Sequence, residues 1–468
     1  MEEKTFVEDI DRSLYDFRNE DKDAYRIEEG LTRDIVEQIS REKHDPEWMR
    51  EFRLKSLEIY NKTPMVQWGP SIEGLNMDNI VTYVRPNTKM QGKWEDVPDD
   101  IKDTFERLGI PQAEQTSLAG VGAQYDSELV YHNVRKEVEE QGVVYTDMES
   151  ALNGPYAEMV KEHFMKLVPP TDHKFAALHG AVWSGGSFVY VPEGVHVDIP
   201  LQSYFRLNAA GAGQFEHTLI ILEKNSSLHF IEGCSAPKYN VTNLHAGCVE
   251  LFVGEGARLR YSTIENWSRN MMNLNTKRAL VEKDGIIEWV SGSFGSHVSM
   301  LYPCSILHGE HARCEFTGVT FASKGQNLDT GASVIHAAPY TSANISTRTI
   351  SKAGGKATYR SAVKVTPNAH HAKCSVNCES LMLDDISRSD TLPVMDIQGD
   401  EADIGHEATI GRISEEAVFY LMSRGISEDE ARAMIVRGFV EPIAKELPLE
   451  YAVEMNNLIN IELEGTMG

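Results

Sequence analysis

Residues 256–261 read Gly-Ala-Arg-Leu-Arg-Tyr, a turn followed by a short strand that ends on an aromatic side chain. The same arrangement returns at 226–230, 285–289 and 311–316. The aligned aromatic residues, at steps of 31, 28 and 27 positions, are Phe230, Tyr261, Trp289 and Phe316. A period of this length without helices is typical of a parallel β-helix, in which each coil buries its inward side chains against the next coil. A sandwich or a barrel would also show short strands and turns, but neither would return an aromatic residue at this interval.

Two zones with helical periodicity flank the repeats. The chain therefore divides into residues 1–170, mostly helical; residues 171–410, the β-helix; and residues 411–468, helical again. The end coils of a solenoid need covering, and the helical zones can supply the caps. The predicted fold class is mainly β, with a parallel β-helix core between two α-helical domains.

Helix-start signals mark the first zone. Thr32 is placed to cap one helix, and Asp45 is placed to cap a second whose first residue is Pro46. Residues 128–140 and 155–167 have the apolar spacing of amphipathic helices. We therefore expect several short helices packed on the solenoid.

The last zone contains three further helix starts. Ser414 is placed to cap the first of these helices, Ser427 forms a capping box with Glu430, and Pro448 begins the third. Helices this short bury little surface on their own, so they are expected to pack on the solenoid end or on another protein.

Composition excludes several classes of protein. The chain has 468 residues, 41% of them hydrophobic, and a net charge of −26. A surface this acidic repels phosphate backbones and anionic lipid, which argues against nucleic-acid and membrane partners. There is no apolar run long enough to cross a bilayer, and the start Met1-Glu2-Glu3-Lys4 has no signal-peptide character. These features favour a cytoplasmic location.

Six cysteines are too few for a disulfide framework, and there is no Cys-x-x-Cys pair. Cys374 and Cys378 are four residues apart in a β-type segment, where they would share a face but lie about 13 Å apart, too far for one metal ion. An isolated buried cysteine is usually a small apolar residue. The composition alone therefore leaves most of the cysteines structural.

The pair His406-Glu407 lies 28 residues after Cys378, about one repeat. That spacing would stack a thiolate, an imidazole and a carboxylate on adjacent coils, about 5 Å apart. Such a group suits iron or zinc, although a buried histidine and a solvated glutamate would look the same in sequence. Neither a P-loop nor a Gly-x-Ser-x-Gly motif is present.

Several collinear segments resemble one known family. They are residues 188–201 (FVYVPEGVHVDIPL), 230–237 (FIEGCSAP), 263–267 (TIENW), 377–382 (NCESLM), 406–409 (HEAT) and 414–438. These segments resemble the SufB/SufD family, whose members act in the SUF system of iron–sulfur cluster assembly. The resemblance covers the chain from about residue 45 to its C-terminus.

The resemblance implies a right-handed β-helix that pairs with SufD or with a second SufB copy. It also implies C-terminal helices that dock the ATPase SufC, and sulfur delivered as persulfide by a cysteine desulfurase, in some systems through a sulfur-transfer protein. The cargo would be a transient iron–sulfur cluster; whether a reduced flavin takes part in the complex stays open. ATP hydrolysis belongs to SufC, so the chain would have no catalytic turnover of its own.

The resemblance also assigns roles to particular residues. Cys234 matches the sulfur-accepting cysteine, and Cys378 with His406 and Glu407 matches the cluster-bearing site. Gly405 replaces a carboxylate found in some members, so no role is carried over to it. The polar positions expected to line a path between the two cysteines are Arg206, Asn208, Thr263 and Lys277. Cations such as Arg206 or Lys277 would lower a thiol pKa.

Two other functions remain open from the residues alone. One is a β-helix enzyme acting on polysaccharide, which would usually be secreted; the other is a purely structural solenoid.

Overall fold

The four repeat aromatics lie in one column of a parallel sheet. Phe230 pairs with Tyr261, Tyr261 with Trp289, and Trp289 with Phe316. The Phe230 and Tyr261 rings lie 5.6 Å apart, and so do the Tyr261 and Trp289 rings. Contacts of this kind contribute about 0.5–1.5 kcal/mol each beyond area burial. The predicted repeat is confirmed, and it sets the register of the coils.

A computed structural model describes residues 17–19, 23–108, 118–445, 455, 457–460 and 462–463. The strands are β1 (Asp23–Arg26), β2 (Val84–Pro86), β3 (Gly120–Tyr125), β4 (Glu128–Val134), β5 (Val144–Asp147), β6 (Ser187–Val191), β7 (Leu201–Arg206), β8 (Gly213–Gln214), β9 (His217–Leu222), β10 (Ser227–Ser235), β11 (Asn243–His245), β12 (Cys248–Val253), β13 (Arg258–Trp267), β14 (Met271–Asn273), β15 (Thr276–Val281), β16 (Ile286–Gly295), β17 (Val298–Leu301), β18 (Cys304–Leu307), β19 (Arg313–Ala322), β20 (Asn327–His336), β21 (Ser342–Ser351), β22 (Lys356–Val365), β23 (Lys373–Met382), β24 (Arg388–Ile397) and β25 (Asp403–Arg412). The α-helices are α1 (Arg33–Glu42), α2 (Glu47–Lys62), α3 (Asp99–Arg107), α4 (Lys136–Glu139), α5 (Met148–Asn153), α6 (Ala157–His163), α7 (Lys174–Val182), α8 (Glu415–Met422) and α9 (Glu428–Ala444).

The strands form a mainly parallel β-solenoid of about eight turns. One face is a ten-stranded sheet that runs from β4 and β3 through β7, β10, β13, β16, β19, β21 and β23 to β25. The opposing strands form a second sheet, in which the long strands β20, β22 and β24 continue the stack. The mainly β fold class with a solenoid core is therefore confirmed.

Helices of the N-terminal half cover the outer face of the second sheet. Leu219 and Ile221 of β9 pack outward against Trp183, Phe164 and Met49. Alternate residues of the same strand, such as Ile220, point into the solenoid core. None of the helices in the described ranges is both long enough and apolar enough to span a bilayer.

Two expectations for the first zone are wrong. Residues 128–140 form β4, paired antiparallel with β3, and only the one-turn helix α4. The β-prone run Leu129-Val130-Tyr131 gains more from this pairing than from an isolated helix. Asp45 does not cap α2, because its carboxylate is buried 2.6 Å from Nε of Arg53. Thr32 caps α1 as predicted, accepting a hydrogen bond from the Ile35 amide.

In the last zone both predicted caps are present. Ser414 accepts from the Ala417 amide at the start of α8, and Ser427 accepts from the Glu430 amide at the start of α9. Pro448 lies outside the described residues. The division into three domains stays a prediction. Strands β3 and β4, which belong to the predicted first zone, are part of the ten-stranded sheet of the solenoid.

Candidate functional site

Cys234 lies inside the solenoid beside a buried ion-pair cluster. Lys277 of β15 places its Nζ 2.7 Å from Oε1 of Glu232 and 2.9 Å from Oγ1 of Thr263, and it lies 3.8 Å from Oε1 of Glu265. All of these side chains are buried. Thr263 and Lys277, two of the residues predicted from sequence, are therefore brought together near Cys234.

The cluster continues through neutral and acidic partners. The Tyr261 hydroxyl donates to Glu232, and Nδ2 of Asn273 donates to Glu265 at 2.6 Å. His245 joins Asn273 to Glu216, with its Nε2 2.5 Å from the glutamate oxygen. The inward position of the two glutamates could have been predicted from the sequence. Glu232 lies two residues after the repeat aromatic Phe230, and Glu265 lies four residues after Tyr261, so both share the inward face of these aromatics.

This surrounding does not produce a thiolate at Cys234. Burial raises the pKa of the Cys234 thiol well above its ordinary value, and Glu232, Glu216 and Glu265 raise it further. Lys277 acts in the opposite direction, as expected, but its effect is the smaller one. The thiol is therefore neutral in this conformation, and nucleophilic chemistry there requires a change of surroundings.

Arg206 and Asn208 lie apart from this cluster. Cys234 pairs with Phe205, and Arg206 pairs with Ser235 on the next position. Neighbouring residues of a strand point to opposite faces, so Arg206 points away from the Cys234 side. Its guanidinium contacts the Ser235 hydroxyl and the carbonyl of Phe17, and Asn208 accepts from the Asn19 amide. The expectation that these two residues line one path with Thr263 and Lys277 is not met.

Cys378 lies in β23, in the last coils of the solenoid. Its side chain is fully buried, and its Sγ is 3.7 Å from Oγ1 of Thr391. Cys374 is also inward and buried in the same strand, in agreement with the strand geometry predicted for this pair. Burial raises the pKa of the Cys374 thiol to about 12.

The expected direct stacking of His406-Glu407 on Cys378 is wrong in register. Cys378 pairs with Ala408, while Val376 pairs with His406 and Asn377 with Glu407. The coil from β23 to β25 is 30 residues long rather than 28. His406 therefore shares the face of Cys378 at a diagonal position, and Glu407 lies on the opposite, exposed face.

His406 has one unusual property. Its Nε2 atom is buried and has no hydrogen-bond partner among the described residues. Buried polar atoms are nearly always paired, so this imidazole nitrogen, on the same face of the sheet as Cys378, is an available ligand. By contrast, His370 and His371 are exposed and lie 3.3 and 3.5 Å from Glu401.

Two continuous columns of small, mostly polar residues connect the Cys234 region to Cys378. The first column, in register order, is Glu232, Thr263, Ser291, Gly318, Thr347 and Cys378. The second is Cys234, Glu265, Ser293, Thr320, Thr349 and Ser380. From β10 to β23 there are five strand steps, about 24 Å at ~4.8 Å per step.

Cavities follow the columns. One of about 10 Å³ lies between Lys277, Thr263 and Ser291, and another of about 10 Å³ is lined by Ser291, Gly318 and Thr347. Each has room for about one water molecule. Gly318 keeps the second cavity open, because a Cβ there would lie 2.8 Å from the Phe316 ring. Both cavities lie in the middle of the columns, and neither is lined by Cys234 or Cys378.

The open end of the solenoid and helix α8 expose apolar side chains. On the end strands these are Leu392, Val394, Met395, Ile397 and Ile410. On α8, Phe419 is 72% exposed and Tyr420 57% exposed. Leu392 and Val394 share one face of β24, and Met395 and Ile397 share the other, so both faces expose apolar side chains that are candidates for interaction.

Comparison with known proteins agrees with this architecture. The model of the SufBD core domain of the SUF iron–sulfur cluster assembly system matches residues 205–439, and the model of the SufBD N-terminal region matches residues 35–203. The iron-sulfur cluster assembly protein SufB of Bacillus subtilis (strain 168) is 51% identical over 460 residues, covering 98% of this chain and 99% of that protein. SufBD family proteins of iron-sulfur cluster assembly from Staphylococcus aureus (strain MRSA252) and Staphylococcus haemolyticus (strain JCSC1435) are each 50% identical over the same coverage.

A solenoid of this form, with buried thiols and an available imidazole, has the donor groups that iron–sulfur chemistry uses. The chain belongs to the SufBD family of iron–sulfur cluster assembly proteins.

Proposed function

We propose that this protein is a scaffold on which iron–sulfur clusters are assembled de novo in the cytoplasm, within an ATPase-containing SUF-type complex. Sulfur enters at Cys234, the nascent cluster forms at Cys378, and the finished cluster passes to apo-proteins. The observation that carries the proposal is the pair of columns that joins a buried thiol in a charged cluster to a second buried thiol at the open end of the solenoid.

The first step is sulfur acceptance from a persulfide on a cysteine desulfurase or a sulfur-transfer protein. A sulfur–sulfur bond forms at Sγ of Cys234 as the donor's sulfur–sulfur bond breaks, and the donor leaves as a thiol that takes the Cys234 proton. Oxidation states balance in this exchange. Releasing the transferred sulfur as hydrosulfide then takes two electrons, which a thiol reductant supplies.

The second step is cluster formation at the open end. Cys378 supplies a thiolate, and His406 supplies an imidazole on the same face. Glu407, on the other face, would contribute only after a rearrangement of β25 or from a paired chain. One thiolate with nitrogen and oxygen ligands holds iron less firmly than four thiolates do, which suits a cluster that has to leave.

Anaerobic reconstitution with iron, sulfide and reductant tests the cluster site. We expect sulfur-to-iron charge-transfer absorbance in the native chain, its loss in Cys378→Ala, and its retention in Cys374→Ala, a matched control because both thiols are buried in β23. A chain that stays colourless, alone and with its ATPase partner, would refute the scaffold role. A polysaccharide-cleavage assay would then separate an enzyme from a structural solenoid.

Docking of the SufC ATPase is assigned to residues 414–468, where α8 exposes Phe419 and Tyr420. We expect Phe419→Asp and deletion of residues 414–468 to abolish co-purification with SufC, while far-UV circular dichroism still shows the solenoid. Exchange of the exposed Glu416 for Gln on the same helix is the control. Undiminished co-purification of both altered chains would contradict the assignment.

Pairing with SufD or with a second copy is assigned to the exposed apolar side chains of β24 and β25. Val394 and Ile397 are both exposed there. Solution mass measurement of the chain alone, and of the chain with SufD, decides between the two partners. A chain that stays monomeric under both conditions would argue against this surface.

A further inference from the structure

A second group of metal-binding side chains lies on the outer face of the solenoid, away from the polar columns. A ring nitrogen of His179, a ring nitrogen of His217 and Sγ of Cys248 all lie within 4.8 Å of one another, and all three residues are buried. Cys248 of β12 and His217 of β9 are direct partners in the parallel register. His179 reaches them from α7, the helix that covers this face.

The second ring nitrogen of each histidine faces a protein oxygen. Nδ1 of His179 lies 3.0 Å from the Ala246 carbonyl oxygen, which can only accept, so this nitrogen carries the proton and Nε2 keeps a lone pair. Nε2 of His217 lies 3.2 Å from Oε2 of Glu250. Glu250 accepts hydrogen bonds from the amides of Met165, Leu167 and Val168, which fix its position.

Although Nε2 of His217 lies 3.2 Å from Glu250, this buried nitrogen makes no hydrogen bond within the described residues. Nε2 of His179, which keeps its lone pair, faces Nδ1 of His217 at 3.0 Å. Either a proton shared between these two nitrogens or a cation bound by both satisfies this contact. Outer contacts of this type, a carbonyl on one imidazole and a carboxylate on the other, are those that orient histidine ligands in metal sites.

We infer that His179, His217 and Cys248 bind a divalent metal ion that prefers nitrogen and sulfur ligands, with Zn²⁺ as the simplest case. Two Zn–N bonds of about 2.0 Å at tetrahedral angles place the nitrogens about 3.3 Å apart, close to the observed 3.0 Å. The ion joins α7 to β9 and β12, so it fastens the N-terminal helical layer to the solenoid. A fourth position is left for a small ligand such as water.

The test measures metal content in a chain that lacks the cluster thiol. The Cys378→Ala parent is produced in zinc-supplemented minimal medium, so that the buried site fills as the chain folds, and is desalted without chelator. We expect about one zinc per chain by mass spectrometry of the elements, and X-ray absorption with one sulfur at about 2.3 Å and nitrogens at about 2.0 Å. Because this parent cannot carry the proposed cluster at Cys378, failure of the proposed function would not change the result.

Two substitutions and one control locate the site. Adding Cys248→Ala should reduce zinc to background, and Cys248→Ser should do the same while preserving side-chain volume. Cys314→Ala, which removes a buried thiol elsewhere in the solenoid, should leave zinc unchanged. Glu250→Gln should weaken zinc binding by about 10- to 100-fold in competition with a chelator, as loss of an outer carboxylate typically does.

Cobalt gives an independent readout. The parent grown with Co²⁺ should show thiolate-to-cobalt charge-transfer absorbance that is absent in both Cys248 variants. If the parent contains no more zinc than folded Cys248→Ser, the inference is overturned. The contact between the two imidazoles is then explained by a shared proton. Zinc content that does not change when Cys248 is substituted would also overturn the inference.

Discussion

Blocking the polar columns at Ser291 gives the sharpest test of sulfur transfer. Ser291 lines both small cavities, at the point where they adjoin. Ser291→Leu replaces the hydroxyl with a carbon and adds two more carbons. Because each cavity has room for only about one water molecule, the larger side chain fills it. Overfilling a packed interior costs about 1–3 kcal/mol. If sulfur can pass only when the leucine is displaced at that cost, its transfer should be about 5- to 150-fold slower.

The assay compares two sulfur sources under anaerobic conditions. With cysteine and a desulfurase, cluster absorbance should rise about 5- to 150-fold more slowly in Ser291→Leu than in Ser291→Ala, which removes the hydroxyl without filling space. With inorganic sulfide supplied directly, the two variants should form clusters at similar rates, because sulfide reaches Cys378 from the open end. A folded Ser291→Leu chain that matches Ser291→Ala with the desulfurase would refute the route.

Further measurements test the buried charges, the thiols and the open end. Lys277→Met leaves the glutamates of its cluster without their cation and should lower the free energy of unfolding by about 3–5 kcal/mol in urea titrations, whereas Thr263→Val should cost far less. Burial lowers the pKa of His132 to about 4. The unfolded histidine takes up a proton near pH 6.5 and the folded one does not. The contribution of His132 to the free energy of unfolding is therefore complete above pH 6.5 and falls by about 3 kcal/mol as the pH drops to 4. The free energy of unfolding of His132→Phe should lack this decrease. Because the pKa of the Cys374 thiol is about 12, iodoacetamide at pH 8 should modify it far more slowly in the folded chain than in urea, and equal rates by peptide mapping would contradict its burial. Val394→Asp should prevent pairing through the open end, and an unchanged complex mass would exclude that surface.

The repeat in the sequence was sufficient to predict the solenoid, because the aromatic residues mark inward positions at one level of successive coils. Phe230 and Tyr261 pair as that reasoning requires. The same reasoning failed where coil length changes. The coil from β23 to β25 has 30 residues, so His406 lies two positions before the partner of Cys378, and a change in coil length leaves no periodic signal in sequence.

The strand β4 shows a different limit. Its apolar residues have a spacing that fits a helix as well as a strand, and pairing with β3, not local preference, decides between them. The cluster of His179, His217 and Cys248 was also missed. His217 and Cys248 are 31 residues apart, one coil, so the aromatic period could have placed them together; His179 is on a helix outside the period.

The open end of the solenoid has a consequence for how the protein must be produced. Among the described strands, β25 ends the ten-stranded sheet and β24 has a neighbour only in β22, so both present unused backbone hydrogen-bonding groups beside exposed Val394 and Ile397. Edges of this kind recruit other strands without discrimination and promote aggregation. Production of this chain with its end strands uncovered is therefore expected to yield insoluble protein.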